Sequence, residues 1–166
     1  MLVKVYGSAV YGVDAITITL EIDLAAGSGY FIVGLPDNAV KESVDRILAT
    51  LKNNGLEKPR TKVIVNMAPA DIKKAGSAYD LPIAIGILAA TGQIPFEPLQ
   101  EYVIMGELSL DGSLRPIKGA LPIAIQARTE KFKGLILPKE NAREGAMVNN
   151  LDVYGVGHIN DVIDLF

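Results

Sequence analysis

An α/β fold, one mixed sheet with helices packed on it, is predicted by three observations. Residues 14–24 alternate strictly, with Ile16, Ile18, Leu20 and Ile22 set against Thr17, Thr19, Glu21 and Asp23. A period of two is the mark of a strand with one buried and one wet face. Residues 81–90 carry no charge, which reads as a helix buried on nearly all sides. The second half of the chain then alternates strand and helix patterns. No internal repeat or low-complexity linker interrupts the 166 residues, so one domain over 1–166 is expected.

The elements follow in order. Residues 2–10 and 14–24 are two strands joined at Tyr11-Gly12, and residues 30–33 are a third after the turn Gly27-Ser28-Gly29. Short connections predict an antiparallel meander or a close variant of one. Asp37 or Asn38 caps a helix whose Val40, Val44, Ile47, Leu48 and Leu51 share a face, and Gly55 stops it. A strand over 62–66 leads into a polar loop, Pro69 to Ser77, and then into the apolar helix. Pro82 belongs in that helix's first turn, which puts the cap at Tyr79 or Asp80. Residues 102–110 are a strand, Asp111-Gly112 a hairpin turn, and residues 114–117 its return. A helix over 119–128, a strand over 135–137, a helical turn over 139–146, a strand over 153–156 and a helix over 160–166 complete the chain.

Composition narrows the functional classes. A net charge of −3 argues against broad electrostatic capture of nucleic acid. The absence of cysteine excludes disulfides, thiolate metal sites and a cysteine nucleophile. No apolar run reaches the roughly 18 residues of a membrane span, and Met1 to Tyr6 lacks a signal peptide's basic start and apolar middle. A cytoplasmic location with no membrane partner is expected.

The chemistry-bearing residues cluster before the apolar helix. Lys73, Lys74, Gly76 and Ser77 offer amines, amides and a hydroxyl ahead of a helix N-terminus, an arrangement that can cradle an anion. A solvated turn is the commoner form of such a loop. Ser77 with Lys73, Lys74 or Lys118 would make a Ser-Lys hydrolase, given an amine stripped of its proton. None of those lysines has an apolar sequence setting that would strip it. Asp80, at the mouth of the apolar helix, reads first as a cap or dipole partner and second as a ligand-orienting group. Glu107, Asp111, Asp71 and the lone His158 lack any metal-ligand spacing, so no metal site is expected. Neither nucleotide-binding glycine pattern, G-x-x-x-x-G-K-[ST] or G-x-G-x-x-G, is present.

Long stretches carry a family resemblance. L-V-K-V-Y-G-S-A-V-Y-G-V-D-A, F-I-V-G-L-P-D-N-A-V-K-E-S-V-D-R-I, N-M-A-P-A-D-I-K-K-A-G-S-A-Y-D-L-P-I-A-I-G-I-L and G-E-L-S-L-D-G-S-L-R-P-I-K-G-A-L-P-I-A together span nearly the whole chain. They resemble the N-terminal domain of the magnesium-chelatase-like AAA+ family. The resemblance implies an α+β fold of the ribosomal-protein-S-five domain-two type, shared with the proteolytic domain of Lon. It also implies a following motor that uses ATP and magnesium, in a hexameric ring that drives DNA branch migration during natural transformation. The partners it implies are the motor domain, further copies of the chain, and DNA through the ring. No cofactor is implied for residues 1–166, since the ATP-binding loop, the magnesium-binding strand and the arginine finger would lie beyond Phe166.

Set against Lon, Asp80 aligns with the catalytic serine and Leu121 with the catalytic lysine, and neither can do that chemistry. Ser77 and Lys118 each stand three residues early. The expectation is a non-catalytic accessory domain. The alternatives are a Lon-like Ser-Lys hydrolase using Ser77, and a free-standing nucleic-acid binder.

Overall fold

The computed structural model describes residues 1–166. Strands β1 (Leu2–Tyr11) and β2 (Asp14–Ala25) form a long antiparallel hairpin in unbroken register from Leu2↔Asp23 to Tyr11↔Asp14. Ile18, Leu20 and Ile22 are fully buried, as the alternation of β2 predicts. Then come β3 (Tyr30–Val33), α1 (Asn38–Lys41), α2 (Ser43–Asn53), β4 (Lys62–Ala68) and α3 (Asp80–Ala90). The second half contributes β5 (Tyr102–Ile104), β6 (Glu107–Leu108), β7 (Leu114–Arg115), α4 (Ala120–Thr129), β8 (Gly134–Pro138), α5 (Lys139–Gly145), β9 (Asp152–Val156) and α6 (Ile159–Asp164). The main sheet has seven strands in the order β3-β4-β2-β1-β5-β8-β9, and β6 and β7 pair separately. This is a mixed α/β fold.

Two expectations about strands fail, each for a local reason. Strands β1, β2 and β3 are not a meander: β4 seats between β2 and β3, and β3 runs parallel to it. The helical crossover α1–α2 between β3 and β4 makes that parallel pairing sterically natural. Residues 102–110 are also not one strand. The backbone leaves the sheet at Gly106, whose N–H donates to Ala78 O (2.8 Å) and whose carbonyl accepts from Leu81 N (3.0 Å). A Cβ at Gly106 would stand 3.2 Å from the side chains of Leu81 and Leu114, so only glycine fits this approach comfortably. The segment thereby becomes the floor under the start of α3.

All eleven residues of α3 are buried. It packs on β1 and β2 on one side and on α2 and β6 on the other. Gly86 permits the approach to the hairpin, since a Cβ there would lie 2.4 Å from Ile22 Cδ1. Helix α4 covers the opposite face of the same hairpin: Val10 meets Gly119 and Thr17 bonds Glu130. The expected helix from Asp37 is present but divided at Glu42 into α1 and α2, and Asp37 caps it, its Oδ1 accepting from Val40 N at 2.8 Å. No helix is long and apolar enough to cross a membrane.

Candidate functional site

A cavity of about 410 Å³ opens at the N-terminal end of α3. The loop from Ala75 to Tyr79 forms one wall, and Ser8 and Val10 of β1 lie beneath it. Met105 and Glu107 come from the segment that leaves the sheet, and Lys118 comes from the turn before α4. Four segments of the chain therefore meet here: β1, the loop before α3, the stretch that leaves the sheet after β5, and the turn before α4.

The loop is tied down residue by residue. Tyr11 donates its hydroxyl to Lys73 O at 2.7 Å. The backbone of Lys74 pairs with that of Leu35 and Asp37. Lys74 itself is wholly buried, its amine donating to Gly34 O (2.7 Å) and to Pro69 O. Burial holds this amine below the usual lysine value, partly offset by the nearby Asp71 carboxylate. The sequence setting of Lys74 does not show this, because one of the two carbonyls, that of Gly34, comes from 40 residues away, and only Pro69 belongs to the same loop. The Gly76 amide is also engaged, donating to Asp37 Oδ2 at 3.2 Å.

The residues read as an anion cradle thus do not converge. Lys74 faces two carbonyls, Gly76 a carboxylate, and the Ser77 hydroxyl donates to Glu107 Oε1. Glu107 in turn lies 3.8 Å from Arg115 Nε through its other oxygen. The backbone N–H groups of Ser77, Ala78 and Tyr79 have no acceptor in the protein. Burial pushes the Tyr79 hydroxyl well above the usual tyrosine value, so it stays a neutral phenol.

Asp80 is not part of the cavity. Its side chain is completely buried and receives a two-pronged bond from Arg46 of α2, Nε to Oδ2 at 2.7 Å and Nη2 to Oδ1 at 2.9 Å. Leu108 N donates to Oδ2 at 3.1 Å. The carboxylate therefore caps nothing on its own helix. It ties α2, α3 and β6 together. Burial pushes the carboxyl up, while the guanidinium and the Leu108 amide pull it back down. Leu121 also lies outside the cavity, where its backbone N–H donates to Glu144 Oε2 at 2.7 Å. Neither residue that aligns with the Lon serine and lysine, Asp80 or Leu121, therefore lines this cavity. Ser77 and Lys118, three residues earlier in each case, line the cavity instead. They do not touch as a dyad: Lys118 is exposed, and the hydroxyl of Ser77 is bonded to Glu107. Sequence reasoning missed Arg46 altogether, since its local contacts, the Ala39 carbonyl at 3.1 Å and the Glu42 carboxylate at 3.9 Å, do not point to Asp80.

Comparison with known proteins adds a second line of evidence. Residues 20–141 match the family model described as subunit ChlI of Mg-chelatase. The chain is 40% identical over 160 residues to competence protein ComM of Haemophilus influenzae, covering 96% of this chain and 31% of that protein. It is also 40% identical over 159 residues to the YifB protein of Escherichia coli, covering 95% of this chain and 31% of the relative. A more distant similarity, 27% over 125 residues, links it to Lon protease 2 of Bacillus subtilis, covering 75% of this chain and 22% of the protease. The chain spans about a third of the length of the ComM and YifB relatives.

Proposed function

The chain belongs to the magnesium-chelatase ChlI family, and from that premise we propose that it is a non-catalytic accessory domain of an AAA+ ATPase. In this reading the whole protein is an ATP-driven DNA helicase of branch migration. It works in the cytoplasm as a hexameric ring around DNA. ATP and magnesium are bound by a motor domain outside residues 1–166, and this domain packs on the motor and supports assembly of the ring.

The observation that supports an accessory role is the occupation of the groups before α3. A Ser-Lys hydrolase needs an amine against its serine, and the Ser77 hydroxyl instead donates to Glu107. The test is ATP turnover. The 166-residue chain is expected to hydrolyse no ATP, while the full-length protein hydrolyses it faster with branched DNA present. Robust turnover by the chain alone would overturn the proposal.

A hydrolase is the second reading, and one observation favours it. Ser77 and Lys118 line one cavity, and the backbone N–H groups of Ser77, Ala78 and Tyr79, residues of the same wall, have no acceptor in the protein; unpaired amides are the donors an oxyanion needs. Labelling with a fluorophosphonate probe separates the two. Labelling that disappears in Ser77→Ala supports the hydrolase. An unlabelled protein supports the scaffold.

A further inference from the structure

The sheet ends at β3, and that edge is open on one side. The direction of its backbone groups follows from the ladder. Gly29 O accepts from Val63 N at 2.9 Å, and Tyr30 is the register partner of Val63. In a parallel ladder, alternate residues of a strand bond one neighbour. Gly29, Phe31 and Val33 therefore bond β4, and the N–H and C=O groups of Tyr30 and Ile32 point outward. Nothing in the protein bonds to them.

Side chains make this edge apolar on both faces. Phe31 and Val33 are 48% and 47% exposed on the face toward Ile64 and Asn66. Tyr30 and Ile32 lie on the other face, against Val44 of α2. A groove of about 290 Å³ runs along the edge, walled by the four β3 residues, Lys41 and Val44. A row of free backbone donors and acceptors beside an apolar groove is the surface that accepts an added strand.

The charge at the groove selects the occupant. Lys41 lines it, and the Lys62 amine sits 4.7 Å from the centre of the Phe31 ring, beside the start of the strand. Neither amine has a carboxylate within salt-bridge distance. A second copy of this chain paired edge to edge would offer these amines no carboxylate from its own β3, since Tyr30–Val33 carries none. A segment with carboxylates flanking an apolar centre has the complementary pattern.

We infer that the free edge of β3 is a docking site for an extended segment of a partner protein, apolar at its centre and acidic at its ends, which adds to the sheet as an eighth strand beside the groove. Gly34, held at φ +102 with a Cβ position only 2.2 Å from Met67 O, ends the strand and limits the added pairing to about four residues. Binding of so short a segment is weak and set by main-chain bonds as much as by side chains.

The test uses the 166-residue chain and two capped, fluorescein-labelled hexapeptides, Glu-Val-Thr-Val-Ile-Glu and the same sequence with lysine at both ends. Fluorescence anisotropy should show the acidic peptide binding about tenfold more tightly. In the double variant Lys41→Glu, Lys62→Glu that preference should reverse. The variant changes only surface side chains, and retained far-UV circular dichroism confirms that it folds. Amide exchange read by NMR should slow at Tyr30 and Ile32 when the acidic peptide is bound, because those N–H groups gain acceptors. Methylating alternate peptide nitrogens should abolish binding in at least one of the two possible phases. Equal binding of both peptides, an unchanged preference in the double variant, or exchange protection elsewhere on the surface would overturn the inference. So would concentration-dependent dimerisation of the chain with the same protection pattern, which would make a second copy the occupant.

Discussion

Arg46→Ala isolates the ion pair that fixes the start of α3. The substitution removes both bonds to Asp80 and leaves a completely buried carboxylate with one remaining donor, the Leu108 amide. Breaking a buried pair from one side costs about 3–5 kcal/mol, because the surviving charge is uncompensated. The Arg46 side chain is 22% exposed, so water can reach the vacated space and the loss should sit near the lower end, about 3 kcal/mol. For a chain of this size that corresponds to a fall in Tm of about 6–12 °C. The protein has no tryptophan, so urea unfolding is best followed by far-UV circular dichroism. In an Asp80→Ala background no charge is stranded, and Arg46→Ala should then cost about 1 kcal/mol or less. The pH dependence supplies an independent sign. Burial already pushes the Asp80 carboxyl up, and Arg46 opposes it. Without Arg46 the folded-state value rises further above that of free aspartate, about 3.9. The folded variant then takes up its proton before the unfolded one does, and gains stability as pH falls through its folded-state value. The deficit of Arg46→Ala against the parent should therefore narrow in acid. An equal cost in both Asp80 backgrounds, or a deficit that widens in acid, would refute the assignment of Asp80 as a buried anion held by Arg46.

Three further outcomes are expected. Gly86→Ala should lose about 1–3 kcal/mol to overpacking against Ile22 Cδ1, partly offset by ~1 kcal/mol of helix propensity, and adding Ile22→Val, which lacks that atom, should recover stability in thermal melts. Lys74→Met should destabilise by about 1–3 kcal/mol for each stranded carbonyl, of Gly34 and Pro69. Because the folded-state value of Lys74 lies below that of a free lysine, about 10.4, the parent should gain stability as pH rises through the interval between the two, and the methionine variant should lack that gain in urea titrations. Ser77→Ala should change stability by only about 0.5–1.5 kcal/mol, the net value of one hydrogen bond, and, on the scaffold reading proposed above, should leave any ATP turnover measured for the full-length protein unaltered.

What was legible in the sequence was what local periodicity carries. The alternation of β2 and the uncharged run of α3 each specify a burial pattern by themselves, and both appear in the structure. Asp37 was readable as a cap because capping is a contact over three residues. The turn at Asp111-Gly112 was readable because glycine alone tolerates the φ of +95 found there. What periodicity does not carry is which strand sits beside which, so the insertion of β4 between β2 and β3 left no local trace. The same limit hid the site. Arg46 lies 34 residues from Asp80, Glu107 lies 30 from Ser77, and of the two acceptors of Lys74 only Pro69 is near, Gly34 being 40 residues away. Gly106, which breaks the long strand to support α3, reads in sequence as an ordinary glycine within an apolar run.

The position of Ser77 shows why a shift of three residues matters at this point of the fold. Within a continuous helix, residues three apart lie on one face, so Ser77 and Asp80 would point the same way. The helix begins at Asp80, however, and Ser77 remains in the loop, where its carbonyl accepts from Asp80 N at 3.2 Å. The serine side chain is therefore free to turn toward Glu107 and the cavity, while Asp80 is carried inward by the first turn of α3. Arg46 holds Asp80 there from α2, and Leu108 holds it from the strand that also supplies Glu107. The buried ion pair and the cavity are two sides of one junction. Loosening Arg46–Asp80 should move the Ser77 hydroxyl relative to Lys118, because Ser77 is joined to Asp80 through its backbone carbonyl although neither cavity side chain bonds the ion pair. A fluorophosphonate label that appears on Ser77 only in the Arg46→Ala variant would mean that the junction, rather than a missing residue, keeps this serine inert.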